Sequence, residues 1–230
     1  MILLLTCEHA TSRIPVAYRY LFSEESEILD THEAYDPGTY DLYKILKPIS
    51  KLSFHQNIGR LLVETNRSIG HPSLFSRYSK KLDVANKDQI LNQYYYPFRN
   101  KVKSSIQKSL EAGEEVLHLS IHSFTPVLNG IERNCDVGLL YDPSRIKEKE
   151  FCKFLKKELH TASLALNIRF NYPYLGKADG FTTSLRRIFP TNYIGIEIEV
   201  NQKLVKNNIM DERLSSAFYV IADRLNKKSL

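Results

Sequence analysis

The chain has 230 residues, of which 43% are hydrophobic and 25% are charged, and its formal net charge is +6. This composition suits a soluble globular protein, and the absence of any apolar run of roughly 18 residues excludes a membrane-spanning helix. Three cysteines at unrelated spacings (Cys7, Cys135 and Cys152) exclude a disulfide framework and a four-cysteine zinc module, which favours a reducing compartment, the cytoplasm.

Apolar periodicity and turn residues predict alternating strands and helices along the chain. The first predicted elements are a strand at Ile2 to Leu5, a weakly helical segment at Val16 to Leu29, a helix at Thr39 to Ile49, a strand at Leu61 to Thr65, a surface loop at Ser68 to Leu82 and a helix at Asp88 to Glu111 that kinks or restarts at Pro97. Strands at Val116 to His122 and Asp136 to Tyr141, a helix at Lys147 to Leu166, a strand at Tyr193 to Val200 and a helix at Met210 to Asn226 follow.

Strands separated by helices are typical of an α/β protein with a mainly parallel or mixed central sheet and helices on both faces. No internal repeat or low-complexity linker divides the chain, so we expect one domain over residues 1–230. The N-terminal apolar stretch has no basic segment before it, which predicts a first strand rather than a signal peptide.

The positive charge is spread over short runs such as Lys80-Lys81 and Lys156-Lys157. This distribution indicates a solvated surface and a small anionic substrate, and we expect neither a nucleic acid nor a membrane partner.

Two histidines follow or end apolar runs of strand length, His9 after Leu3-Leu4-Leu5 and His122 after Val116-Leu117. Open α/β sheets bind ligands at the carboxyl ends of their strands, where both imidazoles are expected. Because a catalytic zinc commonly has three protein ligands and one open position, these two histidines predict a zinc site that needs a third ligand.

The segment from Asp30 to Gly38 supplies most candidates for that third ligand. Asp36 stands before a Pro-Gly break, so its carboxylate either caps the following helix or turns inward to a metal. His32 would share a face with Asp36 if the segment is helical. Glu8 is a weaker candidate because it points away from His9 along an extended chain, and it would instead orient an imidazole.

Donors for an anion surround the predicted strand at Leu61 to Thr65, with Arg60 before it and Asn66-Arg67 after it. An arginine directs two N–H groups toward a carboxylate or a developing oxyanion, and an adjacent asparagine adds another donor.

The late strand carries two carboxylates, Glu197 and Glu199, which share one face because they are two residues apart. A carboxylate in an apolar strand is unfavourable unless it is paired or used in function. Glu199 is nearer the carboxyl end, so we expect it to act as the general base toward water at the metal.

These residues, in this order, resemble the N-formylglutamate amidohydrolase family, whose fold is similar to that of zinc carboxypeptidases and aspartoacylases. The resemblance rests on segments spread over nearly the whole chain: Cys7 to Thr11, His32 to Gly38, Arg60 to Arg67, Tyr96-Pro97-Phe98, Ser120 to Pro126, Asp136 to Leu140 and Glu197 to Leu204. The segment ending in Phe124-Thr125-Pro126 is the most specific.

The resemblance implies a zinc-dependent hydrolase that cleaves the amide bond of an N-acyl amino acid such as N-formylglutamate. The implied metal ligands are His9, His122 and Asp36, with Glu8 and His32 as alternatives to Asp36. The resemblance also implies that Arg60 binds the scissile carbonyl and that Glu199 is the base. Asn66 and Arg67 would bind the substrate carboxylate, and we expect Ser123 to bind substrate as well. A metal-dependent peptidase or amidase on peptide or cell-wall fragments, and a non-catalytic binding protein of the same fold, remain the alternatives.

Overall fold

A twisted six-stranded sheet forms the centre of the protein, as seen in a computed structural model that describes residues 1–162 and 165–227. In chain order the strands are β1 (Ile2–Cys7), β2 (Leu52–His55), β3 (Val116–Phe124), β4 (Val127–Leu128), β5 (Ile131–Glu132), β6 (Val137–Leu140), β7 (Ile168–Phe170), β8 (Tyr193–Asn201), β9 (Val205–Lys206) and β10 (Ile209–Met210). The main sheet has the order β2-β1-β3-β8-β6-β7, while β4-β5 and β9-β10 form two small hairpins.

The sheet is mixed because four of its strands run in one direction and the other two run in the opposite direction. Strands β2, β1, β3 and β8 are parallel to one another, and β6 pairs antiparallel with β8 and parallel with β7. The carboxyl ends of β1, β3 and β8 therefore meet at one edge, where side chains from three remote parts of the sequence come together.

Helices cover both faces of the sheet, and they are α1 (Thr39–Leu46), α2 (Val84–Ile90), α3 (Tyr96–Glu111), α4 (Ile146–Thr161), α5 (Phe181–Ile188) and α6 (Glu212–Lys227). Alternate residues of β1 enter different cores: Leu3 and Leu5 join the cluster under α1, α4 and α6, whereas Ile2 and Leu4 join the cluster under α3 and α5. Burial on both faces explains why β1 is a continuous apolar run. The expected α/β class is confirmed.

The expectation of a strand at Leu61 to Thr65 is wrong. This segment forms turns, with hydrogen bonds from Leu62 N–H to the Gly59 carbonyl and from Arg67 N–H to the Glu64 carbonyl. Its apolar side chains belong to a third cluster, built with the 3₁₀ helix Val16–Phe22 and with Tyr78 and Tyr95. The apolar side chains that produced the strand-like pattern are therefore buried, but they pack against irregular segments and not against a neighbouring strand.

The sequence-based prediction lacks the edge strands β2 and β7, the strands of the two small hairpins and the short helix α5. The predicted helix from Asp88 to Glu111 is interrupted by a π-helical turn, Leu91–Tyr95, just before Pro97. A proline lacks the N–H that a continuous helix needs, which accounts for the restart. Over the described ranges, none of the helices has the length and apolar character that crossing a membrane requires.

Candidate active site

Three buried side chains meet at the carboxyl edge of the sheet. His9 follows β1, His122 lies near the end of β3, and Asp36 comes from the loop before α1. Asp36 Oδ2 lies 3.0 Å from His9 Nδ1 and 3.1 Å from His122 Nδ1, and the two Nδ1 atoms are 3.2 Å apart. The structure thus brings together the three residues that the sequence suggested as metal ligands.

The backbone around Asp36 leaves its carboxylate available. The Asp36 carbonyl accepts a hydrogen bond from Thr39 Oγ1 at 2.7 Å, and the Asp36 N–H donates to the His9 carbonyl at 3.0 Å. Gly38, at φ 78°, adopts the left-handed conformation that starts α1 and that other residues avoid. The helix is therefore capped by the Asp36 backbone, while its side chain turns inward to the histidines.

A hydrogen-bond relay fixes the tautomer of His122. Ser120 Oγ donates to Glu8 Oε2 at 2.8 Å and lies 2.9 Å from His122 Nε2. Because the serine proton goes to Glu8, the serine oxygen accepts from His122 Nε2–H. In its neutral form His122 therefore presents the lone pair of Nδ1 to the centre of the cluster.

Glu64 has the same effect on His9 from the other side. Its Oε1 atom lies 2.6 Å from His9 Nε2, and its Oε2 atom accepts from Arg60 Nε at 2.7 Å. Arg60 Nη1 also donates to Asp36 Oδ1 at 3.1 Å, so one guanidinium links the two carboxylates. His9 consequently donates through Nε2, and in its neutral form it presents the Nδ1 lone pair to the same point as His122.

The electrostatics of this cluster fit a divalent cation. Burial alone would lower the pKa of His122, but the hydrogen bonds with Asp36 and Glu8 hold it well above its usual value. Burial and Arg60 likewise lower the pKa of His9, yet Glu64 and Asp36 raise it overall. A tetrahedral zinc ion with bonds of about 2.0–2.1 Å has ligand atoms about 3.3 Å apart, close to the three separations observed here. The donor set therefore fits zinc.

Glu199 stands beside the cluster as a buried carboxylate. It is registered with His122 across β8 and β3, and its Oε2 atom has no hydrogen-bond partner among the described residues. Burial, supported by the charges of Asp36 and Glu197, raises the pKa of Glu199 to about 8. A carboxylate with such a pKa can accept and return a proton near neutral pH.

Gly138 allows a loop to close over this part of the sheet. It is paired with Glu199 across β6 and β8, and a Cβ atom at this position would lie 2.0 Å from the Tyr172 carbonyl oxygen. The glycine thus lets the chain from Tyr172 to Leu175 pack closely against β6, and Tyr174 and Leu175 line the site.

Two cavities adjoin the cluster and share Asp36, Arg60, Ser123 and Tyr174. The first, which we call the Arg67 cavity, has a volume of about 370 Å³ and is also lined by Arg67, Glu199 and both histidines. The second, the Arg133 cavity, has a volume of about 360 Å³ and is also lined by Arg133.

Asn66 and Arg67 line the Arg67 cavity from the turn that replaces the expected strand. Asn66 Oδ1 accepts a hydrogen bond from the Phe181 N–H at the start of α5, at 2.7 Å. Its Nδ2 group is consequently the one that can serve a ligand. Arg67 Nη1 donates to the Asp179 carbonyl, which leaves the remaining guanidinium donors at the cavity.

The Ser123 hydroxyl, expected to bind substrate, already donates its proton within the protein. Its Oγ donates to the Pro37 carbonyl at 2.8 Å, and its N–H donates to Asp36 Oδ2 at 3.3 Å. Ser123 lines both cavities, but its hydroxyl proton is used to hold the loop that carries Asp36.

The alternatives to Asp36 lie elsewhere. Glu8 is on the Nε2 side of His122, at 3.4 Å, where it can orient the imidazole. His32 lines the Arg133 cavity but is outside the group formed by His9, Asp36 and His122. Sequence reasoning missed Glu64, although an acid within Leu61-Leu62-Val63-Glu64 is a buried charge that requires partners.

Comparisons with known proteins identify the family and the fold of this chain. A family model described as N-formylglutamate amidohydrolase matches residues 1–206. No curated protein matches the chain. A solved structure of the gene product Atu2144 from Agrobacterium tumefaciens is similar with a TM-score of 0.76 and 28% identity, covering 98% of this chain and 87% of that chain. An N-formylglutamate amidohydrolase from Ralstonia eutropha JMP134 has a TM-score of 0.74 and 16% identity, covering 99% and 93%.

Proposed function

Because this chain belongs to the N-formylglutamate amidohydrolase family, whose members are hydrolases acting on amide bonds, we propose that it is a zinc-dependent enzyme that cleaves N-acyl amino acids such as N-formylglutamate. In this proposal residues 1–230 act as one domain in the cytoplasm. The substrate is a small anion, in keeping with the net charge of +6.

The convergence of His9 Nδ1, His122 Nδ1 and Asp36 Oδ2 supports this proposal most strongly. The buried Asp36 carboxylate and the two imidazoles, whose pKa values are raised, attract positive charge to one point, and a zinc ion would replace the protons held there. His9, His122 and Asp36 would therefore hold the zinc ion. When bound there, zinc would lower the pKa of a water molecule toward about 7 and polarise the substrate carbonyl.

The remaining groups have the positions that amide hydrolysis needs. Glu199 takes the proton from the attacking water and returns it to the leaving nitrogen as the C–N bond breaks. Arg60 lines both cavities beside Asp36. Its Nη1 and Nη2 groups each pair with one carboxylate, Asp36 and Glu64, and each has a second N–H. These second N–H groups can donate to the carbonyl oxygen as negative charge develops there. The products are a carboxylic acid and a free amino acid.

The Arg67 cavity is suited to the amino-acid part of the substrate. Asn66 Nδ2 and Arg67 provide donors for its α-carboxylate, and an arginine fork matches a carboxylate in shape as well as charge. In this orientation the leaving nitrogen faces Glu199, which lines the same cavity.

Metal analysis and a panel of N-acyl amino acids test the proposal. We expect one zinc per chain after dialysis and turnover of N-formyl-L-glutamate that a chelator abolishes and zinc restores. Turnover of peptides or cell-wall fragments alone would instead identify a peptidase or amidase. A protein that binds no metal at saturating zinc and hydrolyses none of these amides would contradict the proposal and leave a binding protein.

A further inference from the structure

The Arg133 cavity shares Asp36 and Arg60 with the Arg67 cavity but is not lined by Asn66 or Arg67, and the proposed reaction leaves it unused. Its volume of about 360 Å³ is far larger than a formyl group, which adds one carbon to the amino acid. Because it shares Asp36, Arg60 and Ser123 with the Arg67 cavity, a substrate bound across the cluster would extend from one cavity into the other.

Arg133 is a buried cation that forms no ion pair with any described carboxylate. The residue is only 8% exposed, and it contacts neutral acceptors alone: the Thr125 carbonyl at 3.5 Å, Thr125 Oγ1 at 3.4 Å and the Tyr174 hydroxyl at 3.2 Å. All three contacts are long and use Nη1. In the part of the chain that the structure describes, neither Nε nor Nη2 has an acceptor. Because these free donors reach solvent at the cavity that Arg133 lines, an anion can bind them there without first breaking a protein ion pair.

The carboxylates that line the same cavity are already neutralised by other cations. Glu33 pairs with Arg77 at 3.0 Å, while Asp36 and Glu64 pair with Arg60 at 3.1 and 2.6 Å. Arg133 is consequently the cation of this cavity whose charge remains available to a ligand.

Aromatic rings hold this guanidinium in place. Its Cζ atom lies 5.3 Å from the centre of the Tyr174 ring and 5.8 Å from that of Phe124, which follows His122 by two residues in β3. Cation–π contacts of this kind restrict the guanidinium while its Nε and Nη2 donors stay free of protein acceptors among the described residues. The donors are therefore oriented before a ligand arrives, which reduces the entropy lost on binding.

We propose that the Arg133 cavity is the acyl-group subsite and that Arg133 binds a carboxylate at the far end of the acyl group. The preferred substrates are then N-acyl amino acids with a short dicarboxylic acyl group, such as succinyl or glutaryl. This inference rests on the proposed function, which places the amino acid in the Arg67 cavity and so directs the acyl group to the other side.

Two substrates of equal chain length test the subsite. N-succinyl-L-glutamate and N-butyryl-L-glutamate differ only in the terminal carboxylate, whose hydrogen bonds with a buried arginine correspond to a preference of about tenfold or more in kcat/KM. We expect the wild type to show this preference and Arg133→Met to lose it. The matched control is Arg169→Met, because Arg169 is exposed and stacks on Tyr172 at 3.8 Å without lining either cavity.

Arg133→Lys controls for a folding defect, because it keeps the positive charge and removes only the planar guanidinium with its paired N–H donors. It should retain part of the preference for the succinyl substrate, between the wild type and Arg133→Met. A wild type without any preference would overturn the proposal. Equal loss of turnover on both substrates in Arg133→Met would also overturn it, because that result is expected of a purely structural arginine.

Calorimetric binding of N-succinyl-L-glutamate to the zinc-free protein separates this proposal from the hydrolase proposal. We expect Arg133→Met to weaken binding by about tenfold or more and Arg169→Met to leave it unchanged. Binding that depends on Arg133, in a protein that hydrolyses no N-acyl amino acid, would support the anion subsite and refute the hydrolase. Hydrolysis of N-formyl-L-glutamate, with succinyl binding that is indifferent to Arg133, would refute the subsite alone.

Discussion

His118 and His122 lie on the same strand and are both buried, yet their surroundings give them opposite properties. His118 contacts two hydroxyl groups, Thr6 Oγ1 and the Tyr193 hydroxyl, each at 2.7 Å. Burial, supported by the charges of Arg186 and His122, lowers its pKa to about 4. His122 instead faces Asp36 and Glu8, which hold its pKa well above the usual range.

This difference shows that burial of a histidine does not identify a metal ligand. Both ring nitrogens of His118 are used by protein hydroxyls, so no lone pair remains for a metal. His122 uses only Nε2 in this way, and its Nδ1 atom is directed at the two other proposed ligand atoms, His9 Nδ1 and Asp36 Oδ2. The position along the strand accounts for the contrast, because His118 is in the middle of β3 and His122 is at the edge where loops deliver acids.

The largest expected effect comes from removing the ligand histidine. His122→Ala should lose the stoichiometric zinc and reduce turnover below detection, because two ligands do not hold a catalytic zinc ion firmly. Metal analysis after dialysis and N-formyl-L-glutamate hydrolysis measure both effects. The paired variant His118→Gln should keep one zinc per chain. Loss of zinc in both variants would contradict the claim that His122 binds the metal and His118 does not.

Glu199→Gln should separate binding from chemistry. We expect zinc content to remain unchanged and kcat to fall by about 10²–10⁴-fold, the range typical of a lost general base. The substitution keeps the size of the side chain, so thermal stability serves as the folding control. Full activity in this variant would assign proton transfer to another group.

Glu64→Gln tests how strongly a partner of the ligand His9 contributes. It removes the charge that pairs with Arg60 and weakens the hydrogen bond at His9 Nε2. Changes of this kind typically weaken metal binding by about 10–100-fold, which competition with a chelator can measure. Glu25→Gln, which alters an exposed pair with Arg77, is the matched control and should leave zinc affinity unchanged.

The smallest expected effect is a change in the pH dependence of stability from His118. The unfolded chain binds a proton at this residue below about pH 6.5, whereas the folded protein does so only near pH 4, so stability falls as pH drops between these values. His118→Gln lacks this loss. The destabilisation that it causes should therefore shrink by about 2 kcal/mol between pH 7 and pH 5, as measured by urea unfolding of the zinc-free proteins. A constant difference would mean that His118 is not held neutral.

The parts of the site that sequence could anticipate are those attached to regular elements. His9 and His122 follow from apolar strands that end at histidines, and Glu199 follows from a carboxylate on an alternating strand. Parallel pairing of β1, β3 and β8 then brings their ends to one edge. The α/β class was predictable for the same reason, since strand and helix periodicities are local properties of the chain.

The parts that sequence did not reveal depend on tertiary contacts between irregular segments. Glu64 lies in turns whose burial mimics a strand, and its partners His9 and Arg60 are reached only after the chain folds back. The free charge of Arg133 among the described residues is likewise apparent only from the structure, in which the carboxylates lining its cavity pair with Arg77 and Arg60. The edge strand β2 has four half-buried residues and no strong alternation, so its pairing with β1 is set by the neighbouring strand.

The most direct test of the account is a crystal structure of the zinc-loaded protein with anomalous diffraction at the zinc edge. We expect one anomalous peak, about 2.0–2.2 Å from His9 Nδ1, His122 Nδ1 and Asp36 Oδ2, with Glu199 beside it but not bound to it. A peak bound through the Nε2 atoms, a peak elsewhere, or none at this cluster would contradict the assignment of His9, Asp36 and His122 as the metal site.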